Sequence, residues 1–143
     1  ILYGPSEEFQ LGIAKKLAEG SDVTIIANGL MVWEGLNASD LLKEQGISAA
    51  VLDIHTLKPI DEAAIVAAAE VTGAVVTAEE HLLTGGLGSR VAEVLSRRRP
   101  VPVEMVGIRD TYAESGLPDE LFEKYGLTAR HIVRAVETVL KRK

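Results

Sequence analysis

The chain has 143 residues, 47% of them hydrophobic and 25% charged, which is typical of one soluble globular domain. Its net charge of −6 argues against nucleic-acid binding, because such binding needs clustered positive charge to displace counterions. The absence of cysteine excludes disulfides and thiolate chemistry and is compatible with a cytoplasmic location, which we expect. No apolar run has transmembrane length and no signal peptide is visible, so we expect no membrane partner.

Four apolar, β-branched runs predict a mostly parallel sheet. Most of them are continuous rather than alternating, as in strands covered on both faces, and they begin about 25 residues apart, the length of one βαβ unit. The segment from Gly12 to Ala18 is ambiguous and could be an antiparallel edge strand, joined by a hairpin to the first of these runs. The four runs are residues 23–28, 50–54, 74–78 and 101–106.

Helices are predicted between these strands, beginning with residues 31–45, which Gly46 ends. Asp61 is the predicted N-cap of the second helix, with Ile60 and Ile65 spaced as a hydrophobic staple, and Gly73 ends it.

The third helix spans residues 87–98, and Thr128 caps the last one, whose first turn contains His131, read as a surface residue. Residues 118–124 are expected to form one or two helical turns. The fold class is therefore α/β: a three-layer open sheet of about five strands, mostly parallel with one antiparallel edge strand, and helices on both faces.

Polar residues follow the predicted strands at their carboxyl ends, where such sheets bind ligands. The densest group is Glu79, Glu80 and His81, which could perform acid–base chemistry or bind a metal. We favour a structural or interface role, because consecutive strand residues point to opposite faces and no further ligand is suitably spaced. The complete rim consists of Asn28, Asp53, His55, Glu79, Glu80, His81, Arg109 and Asp110.

A glycine-rich stretch precedes the third helix: Gly85, Gly86, Gly88 and Ser89. Free N–H groups at a helix start attract anions, but the pattern matches neither a dinucleotide fingerprint nor a P-loop. Glycines that permit positive φ or close packing are the favoured interpretation. Met31 and Trp33 are expected in the core or at an interface rather than in a ligand cage.

Four blocks in order resemble the C-terminal domain of the transketolase family, and the resemblance covers about residues 12–141. The same domain type occurs in deoxyxylulose-phosphate synthase and in 2-oxoacid dehydrogenase β subunits. The Ser115–Gly116 pair before Pro118 is more similar to transketolase. The blocks are residues 22–29, residues 51–61, residues 77–81 running into 85–89, and residues 115–121 followed by 125–129 and Ile132.

The resemblance implies that residues 12–143 form a transketolase C-terminal-like domain, with residues 1–11 a linker from a preceding domain. Because the chain begins with Ile1 rather than Met, we expect it to be part of a longer polypeptide or a split enzyme. In this family thiamine diphosphate lies between two other domains. One provides a Gly-Asp-Gly motif that ends in Asn and holds Mg²⁺ and the diphosphate; the other provides the activating glutamate.

This sequence has no Gly-Asp-Gly and no room for either domain. The resemblance therefore implies no catalytic, cofactor-binding or metal residue in this chain, which would be inactive alone. The parent would be a cytoplasmic homodimeric transferase of the pentose phosphate pathway. It would move a two-carbon ketol unit between sugar phosphates, and this domain would support the dimer beside the other transketolase domains or a separate N-terminal subunit.

The stretch running from Glu79, Glu80 and His81 to Ser89 would then be an interface loop. The alternatives are a regulatory nucleotide- or anion-binding domain that uses the glycine stretch, and a pure oligomerisation module.

Overall fold

The computed structural model describes residues 10–108, 123–124 and 126–143. Its described part contains a five-stranded sheet in the order β1-β3-β2-β4-β5, in which β1 is antiparallel to β3 and the other neighbours are parallel. This confirms the predicted fold class. The strands are β1 (Lys15–Ala18), β2 (Val23–Ala27), β3 (Ala49–Asp53), β4 (Val75–Leu82) and β5 (Val103–Ile108), and the helices are α1 (Met31–Glu44), α2 (Glu62–Thr72), α3 (Leu87–Arg98) and α4 (Ala129–Lys141).

The two faces of the sheet carry separate hydrophobic cores. Every residue of β2 and β3 is buried, as continuous apolar runs predict for strands covered on both sides. Because successive strand residues alternate, Ile25 packs with α1 and α4, whereas Ile26 packs with α2 and α3. The sheet is therefore the middle layer of three.

The predicted ends of the first two helices are confirmed. α1 gives way to Gly46 at a φ of +79°, and α2 ends at Gly73 with a φ of +70°, both left-handed conformations that glycine adopts without a Cβ clash. Asp61 caps α2, since its side chain accepts a hydrogen bond from the Ala64 N–H at 3.0 Å. Ile60 and Ile65 are buried in the same core, as the staple predicts.

The edge strand exists, but its predicted hairpin partner is wrong: β1 pairs with β3 rather than with β2. Both edges of β2 are already occupied by the parallel strands β3 and β4, so β1 pairs instead with the outer edge of β3. The turn before β2 is instead tied across to the start of β3, where Asp22 accepts a hydrogen bond from the Ser48 N–H at 2.7 Å.

The last helix begins as predicted after Thr128, but not through that side chain. The Thr128 hydroxyl bonds the His131 ring Nδ1 at 2.6 Å, so His131 is half-buried rather than a surface residue. The first N–H of α4, on Ala129, donates at 2.8 Å to the carboxylate of Glu34 on α1. A charged side chain from another helix has replaced the local cap.

Three predictions lie wholly or largely outside the described residues: the linker at 1–11, the helical turns at 118–124, and the rim residues Arg109 and Asp110. Among the residues that are described, no helix is long and apolar enough to cross a bilayer.

Candidate functional site

In a sheet with this strand order, the ligand crevice is expected where the chain reverses its direction of winding. From β2 the chain moves to β3 on one side, and from β4 it moves to β5 on the other. The carboxyl ends of β2 and β4 are adjacent, and this reversal is where open α/β sheets place their ligand crevices. Asn28 and Gly29 follow β2, and the β4 end carries Glu79, Glu80 and His81, so topology brings these rim residues together.

Glu79 is buried beneath the start of α3. Its side chain is 1% exposed, and its two carboxylate oxygens accept hydrogen bonds from the N–H groups of Leu87 and Gly88, each at 2.8 Å. These donors are among the first N–H groups of α3, which has no side-chain cap at Gly86. The anion that the α3 N-terminus attracts is therefore supplied from within the domain.

The environment of Glu79 perturbs its pKa. Burial, the largest influence, raises the pKa of this carboxyl above its ordinary value of 4.5. The hydrogen bonds from Gly88 and Leu87, and the charge of nearby His81, act in the opposite direction by stabilising the ionised form. Desolvation outweighs them, so Glu79 binds a proton more readily in the folded chain than in the unfolded one.

Glu80 lies on the opposite side of the strand. β4 continues to Leu82, past the predicted end at residue 78, so Glu79 and Glu80 point to opposite faces and do not form a carboxylate pair. Glu80 is exposed, and its Oε1 lies 3.0 Å from where a Cβ on Gly29 would stand. In the described part of the chain, no three His, Asp or Glu side chains group closely enough to hold a metal ion.

The glycine-rich stretch is packed tightly and bonded internally. Gly85 has a φ of +78°, and its N–H donates to the Ser89 hydroxyl at 3.2 Å. That hydroxyl in turn donates to the Leu83 carbonyl at 2.6 Å. A Cβ on Gly88 would lie 2.8 Å from the Thr77 hydroxyl, so this position has no room for a side chain. An incoming phosphate would have to displace these bonds.

Sequence reasoning missed Gly107, which the structure places beside this site. The β4–β5 pairing shifts register between Ala78 and Leu82, and a Cβ on Gly107 would lie 3.2 Å from Glu79 Cγ. A glycine inside a strand pattern is a signal for such an irregularity and close approach. Asp53 ends β3 and His55 follows it, one strand further from the β2–β4 crevice, although both were predicted in the same rim.

Grooves in the described surface lie away from the crevice. A groove of about 330 Å³ runs between α2 and the β1–β3 edge, and its lining includes Ala64, Ala67 and Ala68 of α2. Another, more open and about 480 Å³, lies near Gly46 at the amino end of β3. Neither includes the rim side chains that the sequence singles out.

Known proteins match nearly the whole chain. Residues 12–132 match the family described as transketolase, C-terminal domain. A Clostridium protein described as a 6-deoxy-6-sulfo-D-fructose transketolase subunit is 54% identical over 96% of this chain and 43% of its own length. A 1-deoxy-D-xylulose-5-phosphate synthase from Desulforudis audaxviator is 41% identical over 90% of the chain and 20% of that protein.

A solved structure described as a split gene transketolase, inactive β4 tetramer, superposes on this chain with a TM-score of 0.96 and 50% identity. It covers 99% of this chain, which corresponds to 46% of that one. The chain thus spans less than half the length of these similar proteins. The match over residues 12–132 and the 54% identity show that the chain belongs to the transketolase C-terminal domain family.

Proposed function

We propose that this chain is the C-terminal part of a thiamine-diphosphate-dependent transketolase, whose complete form transfers a two-carbon ketol unit between sugar phosphates. The observation that carries the proposal is the 54% identity, over 96% of the chain, to a protein described as a transketolase subunit. The structural likeness to a split gene transketolase, with a TM-score of 0.96, supports the same assignment.

Within that enzyme the chain's own role is structural. The residues at its crevice do not fit a diphosphate and its metal ion, because Glu79 already occupies the α3 N-terminus and Glu80 points to the other face. Thiamine diphosphate and Mg²⁺ belong to the other transketolase domains or to a separate N-terminal subunit. The rim loop from Glu79 to Ser89 is then an interface, in a parent that we propose is a cytoplasmic homodimer of the pentose phosphate pathway.

The isolated chain is accordingly inactive in this proposal. The structurally similar protein is itself described as an inactive β4 tetramer of a split gene transketolase.

Two-carbon transfer by the complete protein is the test. The protein is incubated with thiamine diphosphate, Mg²⁺, a ketose-phosphate donor and an aldose-phosphate acceptor, and the new ketose phosphate is quantified. We expect transfer that stops when thiamine diphosphate is omitted. Absence of transfer with the cofactor present would reject the transketolase assignment.

A deoxyxylulose-phosphate synthase is the second candidate, because one such synthase is 41% identical to this chain. Formation of deoxyxylulose phosphate by the complete protein, without ketol transfer, would favour it. A nucleotide-binding regulatory role finds less support, because the N–H groups of Gly85, Leu87 and Gly88 are already bonded within the domain. Saturable nucleotide binding that Gly86→Val abolishes would reinstate it.

A further inference from the structure

The outer face of α1 carries large apolar side chains that this domain does not bury. Leu30, just before the helix, is 60% exposed, Trp33 is 54% exposed, and Leu41 is 39% exposed. Positions i, i+3 and i+11 fall within an arc of about 80° on an α-helix, so these side chains share one face. The opposite face of α1, with residues such as Met31 and Leu42, already packs on the sheet.

An acidic group stands at the crevice end of this face. Glu80 is exposed, and its Oε1 approaches Gly29, the residue before Leu30. Among the described residues no ion pair includes Glu80, although other exposed carboxylates such as Glu93 and Glu123 pair with arginines. A tryptophan and a leucine beside an unpaired carboxylate match the apolar centre and charged margin of protein interfaces.

We propose that Leu30, Trp33 and Glu80 form a docking surface for the part of the transketolase that lies outside this chain. The docked segment contributes a Lys or Arg side chain to Glu80 and an apolar side chain to Trp33. This inference rests on the proposed function. More than half of the length of the similar transketolase proteins is not represented in this chain, so a folded partner sequence exists for such a surface.

Charge argues against a second copy of this chain as the occupant. Residues 23–42 and 59–89, which contain Leu30, Trp33 and Glu80, carry only acidic charges and His81, and Lys43 follows near the far end of α1. The Glu34 carboxylate, in the first turn of α1, is already bonded to the Ala129 N–H of α4. A symmetric contact of this surface with itself would therefore bring two Glu80 carboxylates into one interface without a Lys or Arg from residues 23–42 or 59–89, which disfavours association.

Photo-crosslinking in the complete enzyme identifies the occupant. A photoreactive benzoylphenylalanine replaces Trp33, the only tryptophan of the chain, and the crosslinked peptides are identified by mass spectrometry. The matched control carries the same group at Val71 on α2, an exposed apolar position on the other face of the sheet. We expect position 33 to link to peptides outside residues 1–143 and position 71 to give no specific product.

Peptides from within residues 1–143, from a second copy or from residues 109–122, would overturn the proposal. So would equal labelling from positions 33 and 71.

Charge reversal tests the predicted basic partner. In the crosslinking protein, Glu80→Arg should lower the yield at position 33 about fivefold or more, because like charges would face each other across a partly desolvated contact. Val71→Glu serves as the control and should leave the yield unchanged. An unchanged yield with Glu80→Arg would overturn the charge pairing.

Activity of the same preparation without the crosslinker keeps the two proposals separate. An enzyme that is active in two-carbon transfer but gives no crosslink outside the chain overturns the docking surface alone. A correct crosslink in a protein without transfer activity overturns the proposed function alone.

Discussion

Replacing Glu79 should destabilise the fold far more than replacing its neighbour Glu80. In Glu79→Ala, the N–H groups of Leu87 and Gly88 lose their acceptor inside the protein. Each unsatisfied buried donor costs about 1–3 kcal/mol, and the lost charge at the helix start adds about 0.3–1 kcal/mol. We expect a loss of about 2–7 kcal/mol, a large share of the 5–15 kcal/mol typical of a domain.

Glu79→Gln is the more informative variant because it keeps the side-chain shape. Its amide oxygen accepts one of the two N–H groups, but its NH₂ group faces the other donor. We expect a loss of about 1–3 kcal/mol. Glu80→Gln, one residue further and exposed, should change stability by no more than about 0.5 kcal/mol.

Urea unfolding followed by circular dichroism measures these differences. Equal stabilities for Glu79→Gln and Glu80→Gln would refute the view that the Glu79 carboxylate holds the start of α3. A wild-type protein less stable than Glu79→Ala would refute it more strongly.

The stability difference between the wild type and Glu79→Gln should change with pH in a predictable direction. Burial raises the pKa of Glu79, so the folded state binds more protons than the unfolded state just above pH 4.5. The stability advantage of the wild type over Glu79→Gln should therefore shrink as pH rises from about 4.5 through the folded-state pKa. An advantage that grows with pH over this window would mean that the hydrogen bonds outweigh desolvation.

Other substitutions test particular contacts, all by urea or thermal unfolding. The buried Thr77 hydroxyl has no hydrogen-bond partner among the described residues, so Thr77→Val should stabilise the chain by about 1 kcal/mol. Thr24→Val should instead destabilise it by about 1 kcal/mol, since Thr24 bonds Thr72 at 2.9 Å; the reverse ranking would contradict both assignments. Gly88→Ala places a Cβ within 2.9 Å of the Met105 sulfur and should lower the free energy of unfolding by about 1–3 kcal/mol. An unchanged unfolding midpoint would show that the Met105 side chain moves aside without cost. Glu34→Ala removes the cap of α4 and should lower the free energy of unfolding by about 0.5–2 kcal/mol. An unchanged free energy would mean that water caps the helix equally well.

Local sequence signals predicted the regular elements well because their causes are local. Asp61 caps α2, and Gly46 and Gly73 mark helix ends, since each depends on neighbouring backbone geometry. Continuous apolar runs identified the buried strands β2 and β3.

Contacts between distant segments were not predictable in the same way. The pairing of β1 with β3 depends on which strand edges the rest of the sheet leaves open. The cap of α4 comes from Glu34, 95 residues earlier in the chain, and no local pattern encodes it.

At the candidate site, too, local features were predictable from the sequence and contacts between distant segments were not. The sequence identified Glu79, Gly85 and Gly88 as unusual, but not that Glu79 itself occupies the helix start behind the glycines. That contact required β4 to continue past residue 78, where the apolar pattern ends. The interface role of the loop remains a prediction.

The central claim is that this domain belongs to a thiamine-diphosphate enzyme but does not bind the cofactor itself. Calorimetric titration of thiamine diphosphate with Mg²⁺, into residues 1–143 and into the complete protein, tests it most directly. We predict saturable, micromolar binding to the complete protein and no measurable binding to residues 1–143. Micromolar binding to residues 1–143 alone would contradict the claim.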